Sequence, residues 1–251
     1  VNAKEQTMTC PWSQIAEKFA TGDRQSAVQQ ARQLLKNAVD SDWRWLIDGL
    51  REEETKWFVT AVFQRYPVPK RLLNPFLDAA IRETNASKNR QFVQPCVDSF
   101  GHRRVNEYLL DVVEGNCDVS IAGAVAALYW ANMQIVFSGN VPAYTLEHAT
   151  PESRKAYQAL NDVWERKRCC YLRIFVSNQD LNVRRQIIPS LKLDENAYPD
   201  ELKPLVNQAI AIARSHHDEY IRHRIEVQLG NDQLLRPIPE RLNEPRINPD
   251  D

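Results

Sequence analysis

His216, Glu219 and His223, in the stretch HHDEYIRH, are the residues whose types come closest to a set of metal ligands. Spacings of three and four would place all three on one face of a helix. Imidazole and carboxylate one turn apart suit zinc or iron. The order is not that of an HExxH site, however, and no fourth ligand stands nearby. The plain reading is a polar helix surface, so no metal is expected. A second candidate is basic: Arg166, Lys167, Arg168, Arg173, Arg184 and Arg185, with Trp164 and Tyr171 among them. Arginine interleaved with aromatics can hold phosphates and stack on bases. The competing reading makes the aromatics core and the arginines a solvated face.

The thiols offer less. Cys96 falls on an apolar stripe and is expected to be buried and inert. Cys169 and Cys170 sit in the basic stretch, which would lower a thiol pKa, but no histidine is close to them in sequence. Five cysteines without regular spacing read as reduced thiols of the cytosol rather than as a disulfide framework or a zinc site. Seven glycines, the closest two eight residues apart (Gly115 and Gly123), exclude a GxGxxG dinucleotide loop and a GxxxxGK phosphate loop. No GxSxG elbow occurs. Neither catalysis nor a cofactor is therefore expected.

Charge and hydropathy narrow the class further. With 43% apolar and 26% charged residues, the 251-residue chain has the composition of an ordinary globular protein with a sizeable core. A formal charge of −1 disfavours nucleic acid as a partner, because that normally demands a basic surface. No apolar run is long enough to span a bilayer, and the opening VNAKEQTMTCPW lacks the apolar centre of a secretory leader. A cytoplasmic protein that does not enter membranes is expected.

The elements that must position any site are helical throughout. Residues 87–116 read as two amphipathic helices. One is built on Phe92, Val93, Cys96, Val97 and Phe100, the other on Val105, Tyr108, Leu109, Val112 and Val113, with Gly101 breaking them apart. Upstream, Gly22-Asp23 separates two helices within 12–38, Ser41-Asp42 caps a helix carrying Trp43, Leu46, Ile47 and Leu50, and Glu52–Glu54 opens the next. Leu72, Leu73, Phe76, Leu77, Ala80 and Ile81 continue the pattern. Downstream, Cys117-Asp118 starts an alanine-rich, small-faced helix (AGAVAAL), and 138–150 is irregular. Thr150-Pro151-Glu152 opens a helix expected to run to about 177. Short helices follow around Val183–Leu191, from Pro199, and from Asp218 to Leu229. Four prolines make 231–251 an extended tail. The expected division is thus a helical domain over 1–230 and a Pro-rich tail over 231–251.

First helices recur roughly every 30–40 residues, the period of two-helix solenoid units. The stretches NVRRQIIPSL and YIRHRIEVQLG carry this best, and with them the chain resembles HEAT-type repeat proteins. The resemblance covers about residues 42–230, with its register slipping at 131–150. It implies an all-α fold, a right-handed α-α superhelix of paired antiparallel helices. It also implies a non-catalytic scaffold or adaptor that binds another protein through a concave face. On that reading Arg103, Glu107 and Leu110, from the stripe opposite the core of their helix, and Arg184 and Arg185 are candidate partner-binding residues. Leu110 is expected on the polar side. The HEAT-like alkylpurine DNA glycosylases supply the alternative, a nucleic-acid site of aromatics, an acid and an arginine. Trp43, Trp45, Trp57, Trp130 and Trp164 are available for it, although no glycosylase motif is matched.

Overall fold

The computed structural model describes residues 10–115, 117–139 and 144–230. Among these there are twelve α-helices and four short 3-10 helices and no β-strand; one antiparallel bridge joins Phe137 to Ala149. The fold is all-α, and no helix among the described residues is long and apolar enough to cross a membrane. The chain divides into two compact units, Val1–Val163 and Trp164–Asp251. The tail expected over 231–251 lies outside the described residues.

In the first unit, α1 (Pro11–Ala20) and α2 (Arg24–Leu35) form a hairpin around Gly22, whose φ of +109° suits a residue without Cβ. The Thr21 hydroxyl closes α1 by donating to the Glu17 and Lys18 carbonyls. α3 (Asp40–Gly49) opens slightly before the expected cap. Asp42 lies inside its first turn and accepts the Val39 N–H through Oδ2 at 2.8 Å. Its Oδ1 takes the Trp12 indole N–H at 2.8 Å, so one carboxylate caps α3 and anchors α1. Trp12 stacks on Trp45 at 5.8 Å, and the Trp45 ring meets Phe58 of α4 (Thr55–Phe63) edge-on. This aromatic seam continues through Phe63 and Phe76 of α5 (Leu73–Arg82); Trp12, Phe58, Phe63 and Phe76 are fully buried and Trp45 half-buried.

Two helical segments broken at Gly101 form within 87–115, as the periodicity predicts. Helix α6 (Arg90–Val113) is interrupted at Gly101, where φ +80° and ψ 162° lie outside any helix and in a region open essentially to glycine alone. Phe92, Val93, Cys96, Val105 and Leu109 are fully buried. Leu110 corrects the sequence reading. Expected on the polar side, it is fully buried, because α6 packs against both α5 and α7 (Asp118–Trp130) and so has no single solvent stripe. The small face of α7 lets it approach α5 closely at Gly123 and Ile81.

The helix expected from 150 to 177 is two helices, α8 (Pro151–Gln158) and α9 (Asn161–Ser177). Thr150 caps α8 as expected, accepting the Ser153 N–H. The break at Ala159-Leu160 buries Leu160 and frees the Ala159 carbonyl, which Arg103 captures at 2.7 Å. Arg154 of α8 gathers the carbonyls of Leu146, Glu147 and Ala149, which lie just before the helix.

The second unit takes up α9 from Trp164, then α10 (Leu181–Ile187), α11 (Lys203–Arg214) and α12 (Glu219–Gln228). Asp180 and Asp218 cap α10 and α12 through the N–H groups of Val183 and Ile221. α11 begins after Pro199 rather than at it; the Pro199 carbonyl instead closes a turn onto Leu202. The core of this unit gathers Phe175, Val183, Ile187, Ala209, Ile221 and Ile225.

Candidate functional site

The residues that drew attention in the sequence are largely spent on structure. His216 precedes α12 instead of lying on it, so the three-residue face with Glu219 and His223 does not form. His216 is buried, stacks on His217 at 4.4 Å, and accepts the Asp218 N–H at Nδ1. Burial, with His217 beside it, lowers its pKa. Among the described residues no group of three or more His, Cys, Asp and Glu could hold a metal ion.

The five expected partner-binding residues divide between the two units. In the first, Arg103 makes a two-pronged ion pair with Asp162 at 2.7 and 2.9 Å and reaches Glu107 at 3.4 Å. That pairing raises the Arg103 pKa and holds the Asp162 carboxyl down at about 2. Leu110 is buried. In the second, Arg184 is buried over the Phe175 ring with Nε donating to the Phe175 carbonyl, and burial lowers its pKa. Arg185 pairs with Asp218, which raises its own. Trp164 and Tyr171 of the basic stretch are buried as well. Lys167 sits over the Tyr171 ring at 5.5 Å, and desolvation brings its pKa down to about 8.

Of the thiols, Cys169 in the basic stretch behaves oppositely to expectation. Cys169 is buried, and desolvation raises its pKa over the opposing pull of Arg173 and Arg168. Cys96, buried as expected, is raised further by the same cause. Cys117, exposed at the opening of α7, is lowered, first by the Ser120 hydroxyl and then by the backbone N–H groups of Ser120 and Val119. Limited alkylation with iodoacetamide near neutral pH should therefore label Cys117 well before Cys96 or Cys169, read by peptide mass spectrometry. Equal labelling of the three would show that neither burial nor the helix opening governs them.

What the sequence did not single out is a groove of about 760 Å³ in the first unit, between α2, α4 and the start of α6. Its apolar floor is Phe19, Val28, Trp57 and Ala61. Its walls carry Arg24 and Arg32 from one side and Lys88 from the other, with Gln25, Gln29, Gln64 and Gln91 between. Helical spacing explains the walls: Arg24, Gln25, Val28, Gln29 and Arg32 recur at i, i+1, i+4, i+5 and i+8, one stripe of α2 beside the buried Ala27–Ala31 stripe. Trp57, Ala61 and Gln64 form the matching stripe of α4. The helices are locked together beneath. Arg32 donates to the Val62 and Gln64 carbonyls at 2.8 and 2.6 Å, capping the C-terminal end of α4. Gln64 donates to the Gln91 carbonyl, and Trp57 packs on Phe92 at 5.3 Å.

The cations are held over rings rather than by acids. The Arg24 guanidinium lies 5.3 Å from the Phe19 centroid and the Lys88 ammonium 5.1 Å from that of Trp57. None of the described residues lining the groove is a carboxylate, a cysteine, a serine or a histidine. The chemistry it offers is apolar contact, amide hydrogen bonding and positive charge. An adjoining hollow, sharing Phe19, Arg24 and Trp57, brings in Glu17 and Glu54.

No protein-family model matches the chain, and no curated protein or solved structure does so either.

Proposed function

We propose that the chain is a non-catalytic scaffold or adaptor, a HEAT-like stack of helix pairs that binds another protein, and that the groove between α2, α4 and α6 is its binding surface. The observation that carries this is the groove's make-up: an apolar floor rimmed by cations and amides, with no carboxylate, cysteine, serine or histidine among its described residues. Alternate helices lying side by side, α2 on α4 and α4 on α6, support the stacked reading, since that is how a solenoid presents one continuous wall. Grooves of this kind take a helical segment through apolar anchors one turn apart. The nucleic-acid alternative has less support, because Trp164, Tyr171 and Arg184, which it would use, are buried.

Display of a random 16-residue peptide library against the purified protein tests the reading. Ala61, half-buried at the floor, is the point to block. Clones should be enriched whose binding is lost in Ala61→Glu, a variant with unchanged circular dichroism. Enrichment only of clones that bind Ala61→Glu equally, or of none, overturns it. So does a low-salt mobility shift of a duplex oligonucleotide that competes with the peptides.

A further inference from the structure

We infer that the groove's occupant is an acidic amphipathic helix of the partner protein. Its apolar face lies on Val28 and Ala61, beside Trp57, and its carboxylates face Arg24, Arg32 and Lys88. This rests on the protein-binding reading above and specifies it.

The argument is one of charge. The chain as a whole carries a formal charge of −1, yet three cations converge on one groove whose described lining holds no acid. Arg24 and Lys88 reach no carboxylate within ion-pair distance among the described residues; each lies over an aromatic ring. Lys88 favours the charge of Glu83 from a distance, but that carboxylate is held by Lys56. Arg32 donates to the Val62 and Gln64 carbonyls and lies over the Tyr66 ring at 5.4 Å, and it too makes no ion pair with a carboxylate among the described residues. Like charges gathered around an apolar floor are unfavourable to one another until an anion covers them, and desolvation by an apolar face strengthens that attraction.

The arrangement also selects among anions. Arg24 and Arg32 stand eight residues apart on α2, about 12 Å along the axis, with Lys88 on the opposite wall. A fatty acid brings one charged head to such a groove and leaves two cations unmatched. A single-stranded nucleic acid needs an open ring to stack on, whereas the ammonium groups of Lys56 and Lys88 both sit over Trp57, at 4.9 and 5.1 Å. A helix with leucine-like residues on one face and Glu or Asp along both margins meets the floor and the three charges together. The glutamines of the walls then pair with polar side chains at the rim.

The probe is a helical 18-residue peptide library with leucine fixed at a and d positions and Glu, Lys or Gln mixed at the flanking ones, selected on the native protein. Glu should be enriched at the flanks. Fluorescence anisotropy of the selected peptides should show affinity falling with salt and falling roughly tenfold or more in Arg24→Glu/Lys88→Glu. The same double variant should select Lys in place of Glu, a reversal that misfolding cannot produce. The single variants Arg24→Ala and Lys88→Ala give a second readout, each weakening the Glu peptides and sparing the Gln ones. Groove-dependent peptides with neutral or basic flanks would overturn this inference and leave the adaptor reading standing. Absence of any groove-dependent peptide would overturn both. Displacement of the Glu peptides by oleate or by oligo-dT at lower concentration than by free peptide would show that the groove was made for those anions instead.

Discussion

Gly123→Ala is expected to destabilise the first unit by about 3 kcal/mol, the upper end of what overpacking a core costs. A Cβ at this position would stand 2.0 Å from the Ile81 carbonyl oxygen, 2.9 Å from its carbon and 3.2 Å from its Cα. These are backbone atoms, so no side-chain rotation relieves the clash; α5 or α7 has to move. Neither is free to do so. Asn89 Nδ2 binds the Ala80 carbonyl at 2.7 Å beside the clash, and Ala79 and Ala80 are buried. The far end of α7 is tied by the Trp130 indole, which donates to the Ala86 carbonyl at 2.7 Å. In urea unfolding followed by tryptophan fluorescence, where Trp12, Trp43, Trp45, Trp57 and Trp130 report on this unit, the midpoint should fall sharply. The thermal midpoint should drop by roughly 10 °C. Val119→Ala on the same helix, at a side chain 81% exposed, should change stability by less than about 0.5 kcal/mol. A Gly123→Ala protein within about 1 kcal/mol of the parent would mean that α5 and α7 do not lie this close.

That contact shows how far the sequence could be read. The run AGAVAAL announced a small face and close packing, but not the partner, since nothing local points from Gly123 to Ile81. Where a helix buries one face against its neighbours, the periodicity located it: the stripe Leu72–Ile81, the break at Gly101 and the cap at Asp218 all follow from short-range spacing and chemistry. Where a helix is covered on two sides, the same reasoning misplaced residues, and Leu110 is the case in point. The break at Ala159-Leu160 was invisible because its stabilising group, Arg103, comes from a helix more than fifty residues earlier. The candidate site failed to show for the same reason. Its cations and floor come from three separate stretches, and Trp57 was one tryptophan among several until α2 was set beside it. The thiol reading of Cys169 went astray because neighbours in sequence suggest charge while burial, set by the fold, outweighs it.

Lys56→Met should be the other costly change, and its cost should depend on pH in an unusual sense. Lys56 and Glu83 are paired at 2.9 Å with side chains only 10% and 6% exposed, and Lys56 also binds the exposed Glu53 at 2.7 Å. Burial opposes both charges, but the paired hydrogen bonds outweigh it. The Lys56 pKa is raised from its ordinary 10.5, and the Glu83 pKa is lowered from its ordinary 4.5 with help from the Asn85 N–H and Lys88. A depressed carboxyl stabilises the fold above its unfolded pKa and loses that contribution as pH falls through the folded value. A raised amine does so below its unfolded pKa and loses it as pH rises through the folded one. The parent pair is therefore fully effective between about pH 4.5 and 10.5 and weakens on either side. Removing Lys56 strands a buried carboxylate, at a cost of about 3 kcal/mol near neutrality. With the ammonium gone, desolvation is the largest influence on Glu83 and drives its pKa up, opposed only by Asn85 and Lys88. The variant should then gain stability relative to the parent as pH is lowered from 8 to 5; the depressed His216 and Lys167 titrate alike in both proteins and cancel in the difference. Adding Glu83→Leu should recover most of the loss and make the profile run parallel to the parent's, because an apolar pair of similar volume leaves no charge to desolvate. Urea midpoints at pH 5, 6.5 and 8 read all three proteins directly. If Lys56→Met differs from the parent by the same amount at every pH, the loss is one of packing over Trp57 and not of a buried ion pair.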